Sequence, residues 1–176
     1  MIAAPTSLLT GFLAACLAVP AAPAPQQSRP DEITLKEAGS KPEEGTVVGE
    51  YFDALELEIR KGVKKKIEWS RIASVRYAEL PPGYTEALDA RDSDPEGAVQ
   101  LLQDLIGTEG LGDVFRQQAM HELAAHQQRL GAFADAAGSW SALIAAFPEG
   151  RYLGAAARGQ VDCLLAQGDA AGAGKA

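Results

Sequence analysis

Apolar positions change their spacing once along this chain, near Leu80. Before it they fall on every second residue, and after it on every third or fourth. The alternation between Asp31 and Tyr77 predicts five short strands. Ile33 and Leu35 share one face of 31–37, and 45–52 is a second run with a bend or bulge at Gly49. Leu55, Leu57 and Ile59 then oppose Glu56, Glu58 and Arg60. After Gly62 the alternation resumes through Val63, Ile67 and Trp69, and 72–77 makes the fifth run beyond a tight turn at Ser70-Arg71. A loop of Arg60-Lys61-Gly62, with glycine at a positive φ, predicts the hairpin register. It sets Ile59 against Val63, Leu55 against Ile67, Glu58 against Lys64 and Glu56 against Lys66.

Five strands in so few residues predict a small, strongly bent barrel, 31–79, whose order of pieces resembles SH3-like or Sm-like barrels. Its core is thin, so the module is expected to lean on its neighbour. Leu80-Pro81-Pro82-Gly83 breaks the pattern and marks a linker. The remainder, 84–176, has helical period. A short leading helix near 84–90 precedes one that starts at Pro95 and carries Ala98, Leu102 and Leu105. Met120, Leu123, Ala124, Gln127 and Leu130 form one helical face, interrupted by Gln127. Gly131 turns the chain, Ala136, Trp140, Leu143, Ile144 and Phe147 form the next face, and Pro148 stops it. A further helix over 151–167 ends at Gly168-Asp169.

The set Gly131, Ala136, Trp140, Leu143 and Pro148 resembles the tetratricopeptide repeat. In that family a small residue lets two helices approach and an aromatic fills the space beside it. Ala124 stands where the family commonly has glycine, and Gln127 where it commonly has tyrosine. Gly168 recurs 37 residues after Gly131, and Ala136 follows Ala98 by 38, against a family period of about 34. The extra residues fall in the Phe-Pro-Glu-Gly-Arg-Tyr junction, which looks like that of periplasmic tetratricopeptide proteins, among them outer-membrane assembly lipoproteins and cell-division coordinators. The resemblance implies an α+β chain: a β module followed by an α-helical solenoid with a concave groove for a peptide or a partner protein. Gln117, Glu122 and Arg129 are the residues expected to line that groove. Gly172 and Gly174 weaken the last helix, so the array lacks a polar cap and offers a surface for oligomerisation.

The beginning of the chain reads as an address. An apolar run from Leu8 to Val19 precedes small residues and prolines, and it is too short to span a bilayer. Cleavage at Val19-Pro20-Ala21 makes 1–21 a signal peptide and 22–30 a flexible tether. Leu13-Ala14-Ala15-Cys16 supports a second reading, a lipobox in which Cys16 becomes the lipidated mature terminus. No Lys or Arg precedes the apolar run. Either route places the protein outside the cytoplasm, in the periplasm or at the outer membrane, with the membrane engaged only through that lipid.

Charge narrows the function. Of 176 residues 16 are basic and 24 acidic, a net charge of −8 spread over both halves, which argues against a nucleic-acid partner. The Lys64, Lys65, Lys66 run offers the alternative function, binding of an anionic surface, nucleic acid or polysaccharide, with the repeats serving oligomerisation. The glutamates expected across the ladder make it a solvated hairpin face instead. His121 and His126 lie five apart, about 140° around a helix, where a zinc pair needs four. Cys163 sits among apolar neighbours as a small core residue. Among Asp89, Asp92 and Asp94, the last is placed to cap a helix rather than to bind calcium. No nucleophile or phosphate-loop motif is present. The expectation is a non-enzymatic interaction protein without metal or cofactor.

Overall fold

The computed structural model describes residues 29–176. The expected signal segment, most of the expected tether and Cys16 lie outside the described residues. The chain folds as α+β, an antiparallel five-stranded sheet followed by helices. The strands are β1 (Asp31–Leu35), β2 (Glu43–Glu50), β3 (Ala54–Arg60), β4 (Val63–Glu68) and β5 (Ile72–Arg76), in spatial order β4-β3-β2-β1-β5. A 3-10 turn, Trp69–Arg71, joins the last two.

The expected bent barrel is instead an open sheet. Among the described residues no ladder joins β4 to β5. Helix packing replaces closure, because Val114 of the helical half enters the same cluster as Ile33, Leu55, Leu57 and Ile67. A sheet this small buries its apolar face against a helix at less backbone strain than a complete barrel would demand.

The β3–β4 hairpin pairs Leu55 with Ile67, Glu56 with Lys66 and Glu58 with Lys64. Gly62 has φ 78°. The tip departs from expectation: Arg60, not Ile59, faces Val63, after a bulge. The Glu58 carboxylate accepts from the Gly62 N–H at 2.7 Å, which tightens the turn and leaves Ile59 exposed. In β2 the register shifts between Val47 and Gly49. That bulge reverses which residues face inward, so that Glu50 follows Val47 onto the buried side.

The helices are α1 (Tyr84–Ser93), α2 (Pro95–Gly107), α3 (Asp113–Arg129), α4 (Phe133–Ala146), α5 (Leu153–Ala166) and the single turn α6 (Ala170–Ala173). Each packs on the next, and α3 also meets β2 and α5. Asp94 caps α2, accepting from the Gly97 N–H at 3.0 Å, with Pro95 at the first turn. Gly131 and Gly168, each at a positive φ, end α3 and α5 in matching turns. One core joins α1, α2 and α3 through Ala87, Leu102 and Leu123, and another joins α3, α4 and α5 through Ala124, Ala136, Trp140, Leu143 and Cys163.

Central α3 is unusual in composition. Gln117, Gln118, His126 and Gln127 are buried along with its apolar residues, whereas Leu130, assigned to its apolar face, is exposed. A helix enclosed on several sides buries polar residues only where each finds a partner. Gln127 accepts from the Ser139 hydroxyl at 2.6 Å, and the His126 ring donates from Nε2 to the Pro95 carbonyl at 2.9 Å while Nδ1 accepts from Arg129. Gln118 bonds Glu50 and Tyr84, and Gln117 Nε2 donates to the Glu50 carbonyl, while Gln117 Oε1 is buried with no partner among the described residues.

Candidate functional site

Glu50 ends β2 with its carboxylate at 0% exposure. Three side chains converge on it. The Tyr77 hydroxyl donates at 2.7 Å and Arg151 Nη1 at 2.8 Å, both to Oε1, and Gln118 Nε2 donates to Oε2 at 3.1 Å. Its main-chain carbonyl accepts from Gln117 Nε2 at 3.1 Å. These donors come from the end of β5, from α3 and from the α4–α5 junction. A carboxylate enclosed this way is stable only because charge and hydrogen bonds both meet it.

Main-chain contacts reinforce the node. Tyr51 bridges Gly150, and the Phe52 N–H donates to the Glu149 carbonyl at 2.8 Å. A Cβ on Gly150 would fall 2.1 Å from Gln117 Oε1 and 2.8 Å from Phe147 Cβ, so a larger residue there would have to displace the Gln117 amide and crowd Phe147. The Arg151 guanidinium lies over the Trp69 ring at 4.0 Å. Trp69 is held in turn by its Nε1–H, which donates to the Tyr51 carbonyl at 2.7 Å.

Outside this node an open cleft of about 540 Å³ separates the sheet from the helices. Ile72, Ala73, Ser74 and Val75 line it from the sheet, Gln118, Arg151 and Tyr152 from the helical half, and Phe52, Trp69 and Tyr77 complete the lining. Phe52 is 61% exposed, unusual for so large an apolar side chain. Beyond Tyr152 the wall continues along α3, where the His121 ring stacks on Tyr152 at 4.1 Å and Arg91 Nη1 bonds Glu122 at 2.5 Å.

Burial foremost, and then Glu50, pushes the Tyr77 phenol well above its ordinary range, so it stays a donor. Burial likewise raises Tyr84, to about 12, and Tyr152. The His121 ring first, and then the Arg91 guanidinium, hold the Glu122 carboxyl below its ordinary range against the opposing effect of burial. His121 Nδ1 stands 3.7 Å from Glu122, beyond ordinary hydrogen-bond distance. The Cys163 thiol is pushed up by burial and then by Asp162, which disfavours the reactive thiolate.

The groove residues expected from sequence divide. Gln117 is 2% exposed and braces β2, which corrects its assignment as an exposed groove residue: the sheet docks onto the face of α3 that carries it. Glu122 is half-buried beside Arg91, next to the cleft wall. Arg129 is exposed at the far end of α3, near Asp92 and bonded to His126. The lysines are engaged within the sheet: Lys64 with Glu56 at 2.9 Å, Lys65 with Glu43 at 2.7 Å, and Lys66 over the Tyr51 ring at 5.0 Å. Ala136, Trp140 and Leu143 lie buried between α3, α4 and α5, while Pro148 lines a small pocket beneath the α4–α5 junction. His121 and His126 point to different surroundings. Among the described residues no three His, Cys, Asp or Glu side chains are grouped to hold a metal, and no helix is long and apolar enough to cross a membrane.

Sequence reasoning passed over Glu50, Arg151, Gln118 and Phe52. A signal for Glu50 existed: a bulge at Gly49 turns the next residue inward, and an acid on a core face requires a donor set. No family model, curated protein or solved structure matches this chain.

Proposed function

We propose that this chain is an exported, non-enzymatic interaction scaffold of the tetratricopeptide-like kind, which captures a partner protein in the cleft between its β module and its helices. The observation that carries the reading is the cleft itself. It places Phe52, Trp69 and Tyr152 beside Arg151, the aromatic and arginine composition that concentrates binding energy at protein interfaces. Glu50 is saturated by donors, and the Cys163 thiol is buried. Neither is available as a base or nucleophile.

The matching turns at Gly131 and Gly168, and Ala136 packed with Ala124 and Trp140, support the repeat reading. The leader supports export, and mass spectrometry of the mature terminus tests it: a lipidated Cys16 or a start at Ala22 is expected, and an intact Met1 would remove export from the proposal. No specific observation favours the alternative of Lys64, Lys65 and Lys66 as an anionic-surface patch, since each is engaged within its own module.

Site-specific photo-crosslinking tests the cleft. A crosslinker at Ser74 is expected to trap one discrete partner, at least fivefold less in Phe52→Ala, while one at Lys61 on the hairpin tip traps none. Phe52 is exposed, so its loss leaves the fold intact. Equal trapping at both positions, or no effect of Phe52→Ala, would refute the cleft.

A further inference from the structure

The two edges of the sheet are built differently. β4 displays Lys64, Lys65 and Lys66, a common guard against pairing with another chain. Along its middle β5 displays only Ala73 and Ser74, small and uncharged, with neither proline nor lysine. Its cations stand at the two ends of that stretch, Arg71 paired with Glu37 and Arg76 with Glu32, and both stay more than half exposed. One side of β5 pairs with β1, and among the described residues no strand pairs with the other.

This uncharged stretch of the edge is also the wall of the cleft, since Ile72, Ala73, Ser74 and Val75 line it. The opposite wall carries Arg151. Nη1 holds Glu50, and the rest of the guanidinium fork meets no acceptor among the described residues. The carboxylate that balances it is fully buried, whereas Arg151 is 36% exposed. Of this pair only the cation reaches the cleft. A slot bounded by a bare strand edge on one side and by aromatic rings and an arginine fork on the other matches an extended peptide better than a helix. Main-chain pairing supplies affinity there, and alternate side chains supply selectivity.

Resting on the cleft reading above, we infer that β5 is a strand-addition edge: an extended segment of a partner protein pairs with it as a sixth strand, presenting an Asp or Glu to the outer edge of Arg151 and, two residues away on the same face, an apolar side chain to Trp69, Phe52 and Tyr152. The spacing follows from the two-residue repeat of a strand. Guanidinium and carboxylate match as planar forks.

The probe is a displayed library of random nine-residue peptides, selected on the full chain. Selected peptides are expected to share an acid and an apolar residue two apart. Their binding should slow amide hydrogen exchange along Ile72–Arg76 at least tenfold. Methylating alternate peptide nitrogens should abolish binding, a change that leaves the protein's own fold untouched. Replacing the acid by alanine should weaken binding at least tenfold on the native chain and under about twofold on Arg151→Lys, which still neutralises Glu50 but lacks the fork. Peptides that perturb Gln118 and Tyr152 without protecting β5, or that tolerate methylation, would overturn strand addition and leave the cleft reading standing. Selected peptides that bind elsewhere, or none at all, would overturn both.

Discussion

Removing either partner of the Glu50–Arg151 pair should destabilise the protein, and by unequal amounts. Breaking a buried pair from one side costs about 3–5 kcal/mol, because an uncompensated charge is left behind. In Arg151→Ala that charge is Glu50, with no exposure and only Tyr77 and Gln118 as donors. The contact of Arg151 with Trp69 is also lost, worth about 1 kcal/mol. A cost of about 5 kcal/mol follows. In Glu50→Ala the remaining guanidinium is 36% exposed and rehydrates from the cleft, so screening reduces the cost to about 2 kcal/mol. The double variant leaves no stranded charge and should cost about 3 kcal/mol, well short of additivity. Urea titration at pH 7, followed by tryptophan fluorescence and circular dichroism, measures all three. Arg151→Ala no more damaging than Glu50→Ala, or additive losses in the double variant, would refute the reasoning.

Two glycines on neighbouring helices should respond to alanine in opposite directions. At Gly159 a Cβ would lie 2.5 Å from the buried Trp140 ring, so Gly159→Ala should cost about 2 kcal/mol, while at Gly138 it meets nothing within 4 Å and helix propensity should gain up to about 1 kcal/mol. Thermal unfolding compares the two; equal shifts would contradict the packing of α5 on α4. Glu122 should contribute to acid sensitivity. Its carboxyl is held below its ordinary range when folded, so its stabilisation is present above about pH 4.3 and is lost as pH falls through the lowered value. The difference between the native chain and Glu122→Gln should therefore hold steady from pH 7 to about 5 and shrink below; a difference that grows in acid would contradict the sign.

Local features were legible where neighbouring residues decide them. The Leu55–Ile67 register follows from alternation and a glycine turn, and Asp94 caps α2 because a short acid before a proline can do little else. Contacts between distant segments were not. Gln117 looks solvent-facing on a helical wheel, and only the docking of β2 buries it. Closure failed for a related reason: the strand pattern gives the number of strands, whereas the apolar surface supplied by α3 decides whether they need close. Arg151 sits in a junction whose repeat spacing drew attention to Phe147 and Pro148, and nothing local couples it to an acid in β2.

The distance along the chain between Glu50 and Arg151, 101 residues, also sets an order of events during synthesis. At about 5–20 residues per second, Arg151 follows Glu50 out of the ribosome by roughly 5–20 seconds. Until then the carboxylate stays hydrated at the end of an unfinished sheet. Closing so long a loop costs about 4 kcal/mol of chain entropy before any contact repays it. The Glu50 end of the β module therefore reaches its final packing only once the α4–α5 junction is in place to cover it.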